Sequence, residues 1–99
     1  MTTLVVFDAQ RWANALPEMP QYEVRVFLAL CLMAEGSPRF TFRNEDLIGQ
    51  SGVCKSLVQR GIWALAKRQM MVLVERIGGH ANRTTVILSP KWVTFREGK

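Results

Sequence analysis

The hydrophobic and polar positions change period several times along the chain, and each change predicts an element. Leu4 to Phe7 is a short β-branched and aromatic run closed by Asp8, a residue type that caps helices, so a brief strand followed by a helix over Ala9 to Leu16 is expected. Pro17 and Pro20 break the chain. Pro20 can open the next helix, in which Val24, Phe27, Leu28, Cys31 and Leu32 recur on one apolar face and define a core helix. Gly36, Ser37 and Pro38 end it, and Phe40 to Phe42 alternate as a very short strand. Asn44 offers a side-chain oxygen to cap a further helix, with Glu45 and Asp46 complementing its dipole and Leu47 and Ile48 forming its apolar side.

Ser51-Gly52 interrupts this helix after barely two turns. A longer helical pattern runs from Cys54 to about Met70, with Val58, Ile62, Leu65 and Ala66 recurring at three- and four-residue intervals. Met71 to Ile77 and Thr84 to Leu88 are strand-like and flank Gly78-Gly79-His80-Ala81-Asn82-Arg83, so they predict a β-hairpin with a polar, basic loop; Pro90 ends it.

Composition adds bounds. Ninety-nine residues, 48% of them hydrophobic, fit one globular domain over residues 1–99, near the size at which a single core just suffices. The apolar run Val24 to Ala34 is too short to cross a bilayer, and the first residues lack the basic region and cleavage site of a secretory signal, so no membrane partner and a cytoplasmic location are expected. Cys31 and Cys54 lack the spacing of a disulfide framework. With the lone His80 they are too few and too scattered for a zinc site, and no phosphate-cradling glycine motif, nucleophile elbow or catalytic carboxylate pair is present; neither enzymatic activity nor a metal or other cofactor is expected.

Charge is the first functional signal. Residues 1–46 carry four basic and six acidic side chains, net −2, whereas residues 47–99 carry nine basic and two acidic, net +7. Between Asp46 and Glu75 there is no carboxylate, while Lys55, Arg60, Lys67 and Arg68 fall in that window. A surface of one sign attracts a polyanion by releasing its condensed counterions, and nucleic acid is the commonest such partner; a solvated basic face is the plainer alternative.

The order helix, short strand, helix, tight turn, helix, hairpin, with the stretch from Leu47 to Leu65, resembles winged helix-turn-helix DNA-binding proteins. Among them are MarR-like regulators and the DNA-binding domains of phage and plasmid replication proteins, in which a small helix ends in Thr-Gly-Leu-Ser before the recognition helix. The resemblance covers about Tyr22 to Pro90. It implies a mainly α fold with a small β-hairpin wing, binding double-stranded DNA.

The residues support the same reading independently. A recognition helix buries one face while the other projects into a major groove about 12 Å wide. Here Val58, Ile62 and Leu65 supply the buried face, and Lys55, Ser56, Gln59 and Arg60 fall opposite. Gln59 and Arg60 are the residue types that read adenine and guanine, and Lys55 and Ser56, nearest the helix start, can hold phosphate with the backbone amides. Arg76, His80, Asn82 and Arg83 can lie along the backbone or minor groove from the wing, and Arg43 and Asn44 are candidates for a phosphate clamp at a helix start.

The sequence departs from the family pattern in three ways. Cys54 stands at a helix start usually held by Ser, where a thiol of lowered pKa could act as a redox sensor. Trp63, with Leu57, puts apolar bulk on the outer side of the recognition helix, and Gln69 replaces the glycine that commonly ends it, so a different helix end is expected. Leu4, Val5, Val6, Phe7, Trp12, Trp92 and Phe95 exceed what a three-helix core needs. They either complete the core or, with residues 1–19 as an N-terminal extension, form a homodimer contact. The reading is a sequence-specific DNA-binding regulator, a repressor rather than an activator. The alternatives are a plasmid or phage replication or partition factor and a protein-interaction module.

Overall fold

The computed structural model describes residues 2–78 and 82–98, and in it the apolar runs at the two ends of the chain meet. Thr2–Phe7 (β1) pairs antiparallel with Val93–Gly98 (β5), Val5 opposite Phe95 and Phe7 opposite Val93. Asp8 caps helix α1, Ala9–Ala15, its carboxylate accepting from the Arg11 amide at 2.9 Å. A short 3-10 turn, Leu16–Glu18, leads to α2, Gln21–Met33. Then follow β2 (Arg39–Arg43), α3 (Asn44–Ser51), α4 (Lys55–Lys67), β3 (Met71–Ile77) and β4 (Arg83–Leu88). Strands β2, β4 and β3 form a second antiparallel sheet in that order, with β4 central.

The expected class, mainly α with a small hairpin wing, is therefore overturned: the described residues form an α/β domain of four α-helices and five strands in two antiparallel sheets. Strand β5 is what the sequence reading lacked. Its partner lies about ninety residues away, so no local turn signal announces it, and β2 adds a third strand to what local signals present as a lone hairpin.

Helix α2 runs through the core, but not on the expected face. Val26, Phe27, Ala29, Leu30 and Cys31 are buried, whereas Leu28 and Leu32 are 40% and 63% exposed. Between Val24 and Met33 only Arg25 is polar, so periodicity left the face open, and contact with α4 decides it. Gly61 of α4 is buried directly against Val26, where a Cβ would stand 3.2 Å from the valine side chain. That absence of a side chain brings the two helices together. On the other side Trp12 packs on Phe27, with Phe7 and Trp92 edge-on to it at 5.5 and 6.0 Å, fastening the terminal ribbon to α2.

The ends of the paired helices close differently. Gly52 ends α3 in the left-handed region (φ 69°), its N–H donating to Ile48 O at 3.0 Å. Gln69 adopts that conformation after α4 (φ 62°). Its amide donates to Ala66 O and that of Met70 to Leu65 O, which is the pair of bonds a glycine normally closes, so the expected change of geometry at this end does not occur.

Candidate nucleic-acid interface

Val58, Ile62 and Leu65 anchor α4 in the core, each no more than 1% exposed, and this burial fixes which side chains face outward. Lys55, Ser56 and Arg60 are exposed and Gln59 is half-buried. The first turn of α4 carries no acidic residue, and Cys54 at its N-cap position makes no capping bond. The positive end of the helix dipole therefore meets Lys55 without a neutralising carboxylate. The Cys54 thiol is exposed, with Sγ 3.5 Å from Ser56 Oγ; this contact, then the Leu57 amide, holds its pKa below the ordinary value. Cys31 is the opposite case, its thiol pushed up to about 12 by burial.

The phosphate-clamp pair separates. Arg43 is exposed, but Asn44 is only 3% exposed and turns inward. Its Nδ2 donates to Asn82 Oδ1 at 3.0 Å, its Oδ1 accepts from Thr84 Oγ1 at 3.5 Å, and its amide donates to Asn82 O. Asn44 is thus neither the expected side-chain cap of α3 nor a free phosphate ligand; it ties the start of α3 to the base of the hairpin. Asn82 is committed to the same contact, in the left-handed region at φ 41°. His80 lies outside the described residues.

Arg43 and Arg83 face each other across the β2–β4 ladder, both exposed. Like charges directly opposite in a sheet are destabilising. Among the described residues the one ion pair is Arg68 with Glu23, so no carboxylate relieves either arginine. Arg76 behaves otherwise. Its Nη2 donates to Gln59 Oε1 at 2.5 Å, and its guanidinium lies over the Trp63 ring, 5.6 Å from the centroid. Trp63, 55% exposed, is thereby explained as a platform rather than stray apolar bulk.

Sequence reasoning missed Arg25, which shares a groove with Gly52, Val53, Cys54 and Leu57 beside the start of α4. It was passed over because it interrupts a core helix. Among the described residues no group of His, Cys, Asp and Glu side chains is assembled to hold a metal, and no helix is long and apolar enough to cross a membrane. No protein-family model, curated protein or solved structure matches the chain.

Proposed function

We propose that the protein binds double-stranded DNA sequence-specifically, with the exposed face of α4 in the major groove and the arginines of the neighbouring sheet on the phosphates. The observation that carries this reading is the unrelieved Arg43–Arg83 pair. A fold has no reason of stability to set two arginines opposite each other, and a polyanion offers one. The uncapped, carboxylate-free start of α4, with Lys55 and Ser56, provides a further anion-binding point, and Arg60 projects beyond it.

A homodimer is part of the proposal. Leu4 and Val6 of β1, with Phe7, Leu16, Leu28 and Leu32, remain exposed. Burying these side chains between two copies would present two α4 helices to a palindromic site, as a small cytoplasmic repressor requires.

The test is binding of the full chain to duplexes selected from a random pool, followed over a range of salt. About four to six phosphate contacts give a slope of log affinity against log salt near −4 to −5. A flat salt response, or equal affinity for all duplexes, would overturn the reading. A palindrome among the selected sites supports a two-fold regulator, and direct repeats a replication or partition role.

A further inference from the structure

We infer that Arg76 fixes Gln59 as a hydrogen-bond donor toward DNA, so that Gln59 selects guanine rather than adenine; the inference rests on the reading of α4 as the helix that meets the bases. Glutamine reads adenine with both ends of its amide: the oxygen accepts from the N6 amino group while the nitrogen donates to N7. In this protein the oxygen is already engaged. A guanidinium has donors and no acceptor, so the contact between Arg76 Nη2 and Gln59 can be made only through Oε1, and the NH2 end is left facing away from Arg76. A second donor approaching Oε1 would meet the arginine's positive charge. An adenine amino group is such a donor, whereas guanine offers only acceptors, N7 and O6, on the edge concerned.

Two features hold Arg76 in this position. Trp63 lies one helical turn beyond Gln59 on α4 and supports the guanidinium from below. The second feature is a β-bulge. Met71 and Leu73 pair with Leu88 and Val86, which face the helices; the register then shifts, and Glu75 pairs with Thr85 while Arg76 pairs with buried Thr84. With regular alternation residue 75 would take the helix-facing position and residue 76 the opposite one. The extra residue, Val74, turns Arg76 toward α4 and sends Glu75, whose carboxylate would compete for the guanidinium, to the other face.

The experiment compares the sites selected from a random duplex pool by the full-length wild type, Gln59→Ala, Arg76→Ala and Trp63→Ala. The position read by Gln59 is the one whose preference disappears in Gln59→Ala. Guanine is expected there for the wild type, with the guanine-to-adenine ratio falling about tenfold in Arg76→Ala and less in Trp63→Ala. Adenine at that position in the wild type, an unchanged ratio in Arg76→Ala, or no position affected by Gln59→Ala overturns the inference while leaving DNA binding intact. Selection of no duplex by the wild type overturns both. A readout without DNA separates them further: in the free chain the Gln59 side-chain carbonyl carbon resonance should move on Arg76→Ala, and an unmoved resonance overturns the inference alone.

Discussion

Glu23, only 4% exposed in the middle of the fold, accepts a hydrogen bond at 2.9 Å from Arg68 Nε, which reaches it from the end of α4. The same arginine donates to Glu18 O at 3.3 Å, so it joins the end of α4 to the 3-10 turn and to the first turn of α2. One of the basic residues that looked available for an anion in the sequence is thereby committed to the fold.

Arg68→Ala should leave Glu23 as an uncompensated buried charge. Breaking a fully buried pair costs about 3–5 kcal/mol. Arg68 keeps 30% of its side chain exposed, so a loss of about 2–3 kcal/mol is expected in urea unfolding. The double variant Arg68→Ala, Glu23→Gln should recover part of it. Equal stability of the single and double variants would show that the ion pair contributes nothing beyond packing.

Gly61→Val should destabilise the protein by about 1–3 kcal/mol, because the added carbons enter the contact with Val26 that sets the spacing of α2 and α4. Thermal unfolding measures this directly. A companion Val26→Ala substitution on the Gly61→Val background should restore part of the loss, and no restoration would place the strain elsewhere.

Arg83→Thr should separate stability from binding. Removing one of two opposed like charges, and substituting a residue suited to strands, should raise stability by about 0.2–1 kcal/mol. If Arg83 contacts phosphate, the same change should reduce the salt slope of DNA binding by about 1 on every sequence. Improved stability with an unaltered salt slope would remove Arg83 from the interface.

The two thiols predict opposite chemistry. Cys54 should react with a disulfide reagent in the folded protein at a pH below that needed for an ordinary thiol, whereas Cys31 should react only on unfolding. Burial raises the folded-state pKa of Cys31, so its contribution to stability is complete below the unfolded-state value of about 8.5 and is lost as pH climbs from there toward about 12. Wild type should therefore lose stability more steeply than Cys31→Ala across that window, by up to about 1.4 kcal/mol per pH unit. Parallel curves would contradict the assignment.

Elements bounded by local chemistry were legible in the sequence. Asp8 caps α1, Gly52 closes α3, and strand-like composition marks β3 over Met71–Ile77. What escaped depended on distant partners. The buried face of α2 could not be chosen from a segment apolar nearly all round, because Gly61, thirty-five residues beyond Val26, makes the choice. Asn44 carries a cap-forming side chain, yet Asn82 and Thr84 claim it. In the candidate interface, the outward placement of Lys55, Ser56 and Arg60 follows from helical periodicity, but the Gln59–Arg76 contact depends on a bulge that alternation cannot announce.

Pairing β1 with β5 has a kinetic consequence. Holding Phe7 against Val93 encloses almost the whole chain in one loop, at an entropic cost that no short-range contact offsets in advance. The helices and the three-stranded sheet, built from nearer neighbours, should therefore assemble in the folding transition state while the ribbon remains unzipped. Weakening Val5 or Phe95 should accelerate unfolding and leave the refolding rate nearly untouched.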